Sequence, residues 1–390
     1  MNVPLSVLDL SPVSAGSTPQ QALRNTIDLA RHAESWGYRR YWIAEHHFVA
    51  VASSAPTTLI ALIAAATDTI RVGSAAVQTG HHTAAAVVEA FGTIDALYPG
   101  RLDLGLGRSA HRVAQAGAAQ RGATETVRAR SAGHDPSSAT ARATEVRGGV
   151  VIPPPFDTGQ LLDTSRSAAG FEALQLPGAR PVDYGRQVRE ILALLAGTYR
   201  SSEGIALHAV PGEGARVQPW LFGSSGGESA RLAGRSGLPF AANYHVSPGT
   251  IIETVEAYRA AFRPSPQHDR PYLVVSADVV VADDDETAAH LASTYGQWVY
   301  SIRSGAGAAP YLAPTTAAPL SEAQQRLVRD RVSTQFVGSA ATVAQRLSAL
   351  QALTGADELL VTSVTHDHRD RLRSHELLAA EWGLPRSRAA

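Results

Sequence analysis

The chain has 390 residues, 44% of them hydrophobic, enough to fill one large α/β domain or two ordinary ones. Its 34 Lys plus Arg, all of them Arg, against 35 Asp plus Glu give a formal net charge of −1, which offers no field for nucleic acid or an anionic membrane and no Schiff-base lysine. The absence of cysteine excludes thiolate nucleophiles, disulfides, zinc–thiolate sites and cysteine-bound clusters, and the near-zero net charge fits a small neutral substrate best.

Residues 3–9 alternate apolar and polar side chains and read as a strand. Thr18-Pro19-Gln20-Gln21 then supplies a cap, a proline at the first helical position and a glutamine at the third. Leu23, Ile27, Ala30 and Trp36 keep a helical period until Gly37, and a strand over 38–45 completes one strand–helix–strand unit. The alternation repeats with a helix over 56–66, a strand over 70–77, a helix over 84–97 stopped by Pro99-Gly100, and a strand over 101–107. Beyond residue 180 the spacing predicts a helix over 183–197, a strand over 218–223, a helix over 228–235, a strand over 238–243, a helix over 248–262 and a strand over 272–281. Helices over 285–300 and 339–353, the latter capped by Gly355, lead to a strand over 358–363 and a closing helix over 369–382.

Eight strands each followed by a helix favour an α/β fold of the TIM-like (β/α)8 type, spanning 1–390 as a single domain, over an open doubly wound sheet. Residues 110–180 break the pattern after the fourth strand. They are rich in Ala, Arg, Ser, Thr and Gly, contain Pro153-Pro154-Pro155, and read as a mobile or partly disordered insertion. A second loose segment, 304–319, follows the seventh strand. The start, Met1-Asn2-Val3-Pro4-Leu5, has no basic segment followed by an apolar stretch, and no apolar run approaches the roughly 20 residues of a membrane span, so a cytoplasmic protein is expected.

In such a barrel the active site lies at the C-terminal ends of the strands. There the sequence delivers Glu45-His46-His47, then Ser74-Ala75-Ala76 with His81-His82, then Gly105-Leu106-Gly107-Arg108. Later strands deliver Gly223-Ser224-Ser225-Gly226-Gly227, Asn243-Tyr244-His245 and His366-Asp367-His368. A Glu-His-His run by itself is as readily a strand end with one satisfied core histidine, and a lone Gly-x-Gly is weak. The turn 223–227 is more telling, because it opens a helix at Glu228, where free N–H groups, small hydroxyls and the positive end of the dipole suit a phosphate. A plain Ser/Gly cap would look the same until Arg108, ending the neighbouring strand, is added. A phosphorylated cofactor held there would lay its reactive ring near His46 and over the small Ala75-Ala76 pair. An alternative is a metal-dependent hydrolase assembled from Glu45-His46-His47, His81-His82 and His366/His368, although the first strand lacks the usual histidine pair.

The sequence resembles the bacterial luciferase-like flavin monooxygenases, in particular the actinobacterial two-component type found with polyketide biosynthesis genes. The resemblance is carried by Tyr41-Trp42-Ile43-Ala44-Glu45-His46-His47, by Arg71-Val72-Gly73-Ser74-Ala75-Ala76-Val77, by Glu89-Ala90-Phe91-Gly92-Thr93-Ile94 through Arg108, and by Trp220-Leu221-Phe222-Gly223-Ser224-Ser225. It implies a barrel using reduced FMN, delivered by a separate flavin reductase by diffusion, and O2 as co-substrate. Through a flavin C4a-(hydro)peroxide it would oxygenate a small organic substrate, by Baeyer–Villiger insertion or hydroxylation of a polyketide. His46 matches the family's catalytic histidine, and Ala75-Ala76 the pair joined by a non-prolyl cis peptide under the flavin. Arg108, Ser224 and Ser225 match the phosphate end, Arg186 a second phosphate-binding arginine, and Glu45 a residue near the flavin. His47, His82, Tyr244 and His245 are expected in the substrate pocket, with no metal. Where the family has Pro-Asn-His this chain has Gly80-His81-His82, and the paired His46-His47 favours FMN over the deazaflavin F420, whose hydride-transfer enzymes share the fold. The family also implies a homodimer.

Overall fold

The computed structural model describes residues 2–108, 143–156, 165–176, 179 and 182–386. Strand β1 (Leu5–Asp9) leads to helix α1 (Pro19–Ser35), β2 (Arg40–Ile43) to α2 (Pro56–Ala66), and β3 (Arg71–Ser74) with its continuation β4 (Val77–Gln78) to α3 (Ala84–Leu97). After β5 (Leu102–Gly107) come a hairpin of β6 (Glu145–Arg147) and β7 (Val150–Ile152), then α4 (Ser165–Ala173) and α5 (Tyr184–Leu195). β8 (Gln218–Gly223) precedes α6 (Glu228–Arg235), and β9 (Phe240–Ala242) precedes α7 (Ile251–Ala261). β10 (Leu273–Ala282) is followed by α8 (Asp285–Ala292), α9 (Tyr295–Arg303) and α10 (Glu322–Thr334). β11 (Phe336–Ser339), α11 (Ala340–Thr354), β12 (Glu358–Thr362) and α12 (His368–Trp382) complete the chain.

Eight strands pair in parallel in the cyclic order β1-β2-β3-β5-β8-β9-β10-β12, and β12 returns to β1 through Leu5–Leu359 and Val7–Val361, so the sheet is a closed (β/α)8 barrel. β4 prolongs the pairing along β5, and β11 pairs with the end of β10. Every residue of β10, LVVSADVVVA, is buried, the unbroken run expected of a parallel strand covered on both faces. At α1 the Thr18 hydroxyl accepts from the Gln21 N–H at 3.2 Å, but the Gln21 amide turns to Asn25 instead of back to the cap, so the capping box is half formed. Gly37 (φ 84°) and Gly355 (φ 60°) end helices in the left-handed region, as their positions suggest.

The barrel interior is filled by Trp42, Trp220 and Phe222, with Trp42 edge-on to the other two rings at 5.4 and 5.2 Å. Below them, at the N-terminal strand ends, Arg40 bonds Asp103 at 2.9 Å and Glu358 at 3.2 Å, and Arg71 bonds Asp103 at 2.7 Å. These charged groups plug one end of the barrel and leave the cavity at the other.

Three features depart from the sequence reading. The single helix expected over 285–300 is two: Thr294, its hydroxyl bonded to Leu312 O at 2.9 Å, starts a new axis that carries Tyr295 inward to Asp278. α10 and β11 were not expected. Much of 110–180, and with it the reading of that span as mobile, lies outside the described residues; the parts described form the hairpin and α4. Among the described residues no helix is long and apolar enough to cross a membrane.

Candidate active site

A cavity of about 450 Å³ opens at the C-terminal ends of the strands. It has three parts: a middle built on β2 and β3, a wall at β5 and β8, and an opposite wall at β10 and β12.

In the middle, the chain leaves β2 with Glu45 buried at 4% exposure. Its Oε1 accepts from His47 Nε2 at 2.8 Å and His82 Nε2 at 3.0 Å, and its Oε2 accepts from the Gln78 N–H at 2.8 Å. Burial alone would raise the pKa of this carboxyl, but the donors from His47, His82 and Gln78 outweigh it and bring it to about 2. Glu45 is thus a permanent anion tying the end of β2 to the turn after β4, with His47 and His82 behind it.

His46 lines the same cavity. Burial foremost, and then the neighbouring His47, lower its pKa to about 4, so the ring is neutral near pH 7. Its buried Nδ1 has no hydrogen-bond partner among the described residues. Facing it, His245 shares a 2.6 Å hydrogen bond between Nδ1 and Ser276 Oγ, and burial lowers its pKa to about 3. Two neutral histidines therefore face one space. Beside them the Ala75–Ala76 peptide is cis, and the Ala75 N–H donates to Ile43 O at 2.7 Å. The Gly-x-Gly of β5 has a packing reason: a Cβ on Gly105 would stand 2.0 Å from Ser74 O, and one on Gly107 3.1 Å from Ala76 Cβ.

At the β5/β8 wall, the turn after β8 runs through Ser224 and Ser225 to Gly227, whose lack of a side chain leaves the start of α6 without a side-chain cap among the described residues. Arg108 reaches this turn from β5. Its Nη1 donates to Glu228, the first residue of α6, while its buried Nε has no partner among the described residues. Open helix N–H groups, two hydroxyls and an incompletely bonded guanidinium fit a phosphate. Glu228, an acid at the same place, was not foreseen.

The β10/β12 wall was not foreseen at all. Asp278, Arg331 and Thr362 line it, and Tyr295 joins Asp278 to Arg331. Arg331 stands on α10, whose capping box, Ser321 with Gln324, was a legible start signal.

Residues 3–141 and 173–358 match the family model described as luciferase-like monooxygenase. The chain belongs to the luciferase-like monooxygenase family. The Bacillus subtilis (strain 168) protein YvbT is 36% identical over 389 residues, 97% of this chain and 96% of its own. A luciferase-like monooxygenase of Escherichia coli (strain K12) is 33% identical over 378 residues, 96% of each chain. Among solved structures, apo-MsnO8 shares 30% identity and a TM-score of 0.75, covering 99% of this chain and 100% of its own. The fold alone is shared with the oxygenating constituent of 3,6-diketocamphane monooxygenase from Pseudomonas putida, solved with FMN (TM-score 0.61, 19% identity, 97% of each chain). It is shared equally with the coenzyme F420-dependent tetrahydromethanopterin reductase of Methanopyrus kandleri (TM-score 0.57, 14% identity, 98% of each chain).

On this luciferase-like barrel, Glu45, His46, Ala75, Ala76, Arg108, Ser224, Ser225 and His245 converge on the one cavity. Other residues from the sequence reading stand elsewhere. His47 and His82 back up Glu45, and the Tyr244 hydroxyl donates to Val151 O at 2.7 Å in the β6–β7 hairpin. Arg186 is on the exposed face of α5, paired with Glu190 at 2.8 Å, because the N-terminal end of that helix turns it outward. His366 Nε2 bonds Ala15 O at 3.0 Å and His368 Nε2 bonds Asp28 at 2.9 Å, so this pair does not join Glu45.

Proposed function

We propose that this chain is an FMN-dependent monooxygenase that takes reduced FMN from a separate flavin reductase and uses O2 to oxygenate a small organic substrate, by Baeyer–Villiger insertion or hydroxylation. The observation that carries the reading is the layout of the cavity, in which a phosphate-fitting wall is joined to a neutral buried histidine across the cis Ala75–Ala76 segment. Arg108, Ser224, Ser225 and the open end of α6 would hold the phosphate, and Ala75 and Ala76, with no side chain beyond Cβ, would leave room for the flat ring. When bound, reduced FMN supplies the electrons with which one atom of O2 enters the substrate and the other leaves as water.

The remaining work belongs to the chain. His46, neutral and without a partner at Nδ1 among the described residues, accepts or returns a proton at the cavity surface. Glu45 fixes the end of β2 and with it the direction of His46, which acts as the proton carrier while Glu45 positions it. The interior tryptophans and Phe222 keep bulk water from the barrel side. A cytoplasmic homodimer meeting its reductase only by flavin diffusion completes the proposal.

Oxygen uptake separates this reading from an F420-dependent hydride transfer on the same fold. With FMN, NADH and a flavin reductase, the protein is expected to oxygenate a ketone or aldehyde from a test panel, with 18O from 18O2 in the product. Reduction of F420 by an alcohol without O2, and no label from 18O2 in any product, would replace it.

A further inference from the structure

The wall farthest from Arg108 has its own chemistry. β12 stands opposite β5 in the cyclic strand order, and its last residue, Thr362, pairs in register with Asp278 of β10. Arg331, 8% exposed, donates from Nη2 to the Tyr295 hydroxyl at 2.7 Å and to Asp278 Oδ2 at 3.3 Å, and from Nε to Tyr295 at 3.2 Å. The Tyr295 hydroxyl donates in turn to Asp278 Oδ2. These bonds use one side of each group. Among the described residues, Arg331 Nη1 and Asp278 Oδ1 have no partner, and neither has the Oγ1 of Thr362, which is fully buried. Buried polar atoms in native proteins are nearly always paired, so the unpaired Thr362 Oγ1, beside the open Arg331 Nη1 and Asp278 Oδ1 on the same cavity wall, marks the position of a ligand's own polar atoms.

Charge decides what kind of ligand. Asp278, whose carboxyl burial pushes above its ordinary range while Arg331 and Tyr295 pull it back, is paired with Arg331, and His245 on the same side is uncharged. A carboxylate would meet Arg331 and Asp278 together and gain little from the pair. A neutral group that carries an acceptor beside a donor satisfies both, its C=O taking the Arg331 Nη1–H and its N–H giving to Asp278 Oδ1, with the Thr362 hydroxyl able to play either part. Trp298, Ile302 and Val364 around them are apolar and suit the hydrocarbon on either side of such a group. We infer that the Asp278–Arg331–Thr362 wall is a binding site for an uncharged amide, and that the substrate carries this amide at the end remote from the atom that is oxygenated. The second half of this statement rests on the function proposed above. The amide site itself does not, since its residues stand apart from the phosphate wall.

The test is a titration of the whole chain, without added flavin, with three probes of similar size: N-butylacetamide, hexanoate and 2-heptanone, followed by 1H–15N NMR. N-butylacetamide is expected to bind about tenfold more tightly than either other probe, the worth of one well-made hydrogen bond. Thr362→Val, which removes the hydroxyl at nearly constant volume and breaks no ion pair, should cut that advantage about fivefold. Asp278→Asn should reverse the order, weakening the amide and strengthening hexanoate, because Arg331 is then uncompensated; if that variant does not fold, Thr362→Val decides alone. Tightest binding of hexanoate in the unsubstituted chain, equal binding of all three probes, or an amide preference untouched by Thr362→Val would overturn the inference. A parallel titration with FMN that showed no binding would count against the proposed function and leave the amide site standing.

Discussion

The two ends of this barrel treat buried polar groups in opposite ways. At the N-terminal end, all four carboxylate oxygens of Asp103 and Glu358 accept hydrogen bonds, from Arg40, Arg71, Trp220, Ser6 and Tyr272. Arg40 also lies over the Trp220 ring at 4.8 Å. At the C-terminal end, His46 Nδ1, Arg108 Nε and Thr362 Oγ1 are buried without partners among the described residues. The polar groups that hold strands together are completed within the chain, whereas the open ones stand on the cavity where a ligand is proposed. The comparison divides stability from function along the barrel axis.

Breaking the closed end should have the largest effect. Arg40→Met strands Asp103 and Glu358 and should cost about 3–5 kcal/mol in urea unfolding, while the fraction still folded binds FMN as before. At the open end the order reverses: His46→Gln should leave the unfolding midpoint within about 1 kcal/mol but lower oxygenation roughly 10²- to 10³-fold, read as kcat.

Acid comes next. The folded pKa of His46, about 4, lies below the ordinary 6.5, and His245 is shifted the same way to about 3. The unfolded chain therefore takes up protons first as pH falls, so stability present above about pH 6.5 is lost progressively toward pH 4, by roughly 3 kcal/mol for each histidine. Glu45, at about 2 against an ordinary 4.5, extends the loss to lower pH. Urea midpoints at a series of pH values check the slope, and an NMR titration placing the His46 pKa at 6 or above would remove the account of its neutrality. The smallest effect concerns Glu228, which occupies Arg108 and repels a phosphate. Glu228→Gln should tighten FMN binding about tenfold, measured by flavin fluorescence; weaker binding would mean that Glu228 supports the cradle.

Much of this layout is legible in the sequence. The helices over 56–66, 84–97 and 228–235 have the expected bounds, since proline, threonine and glycine punctuation sits at their ends, and Glu45, His46, Arg108, Ser224 and Ser225 are found by asking what each strand delivers at its end. What escapes does so for physical reasons. His47 and His82 cannot be assigned a side because the alternation of a strand fails once the chain turns, as it does at Phe48 with φ 59°. Tyr244 is oriented by a hairpin carried in the insertion, and Arg331 by a helix whose face is mostly polar, so neither contact leaves a periodic trace. Glu228 reads as an ordinary first-turn acid until Arg108 is seen beside it.

The central claim, that the open wall of the mouth holds the phosphate of FMN, is tested most directly by comparing FMN with riboflavin, which differs only in lacking the phosphate. Fluorescence titration of the chain should give FMN an advantage of about 100-fold, nearly abolished in Arg108→Gln with riboflavin affinity unchanged. Equal binding of the two flavins, or an FMN preference that persists without Arg108, would contradict it.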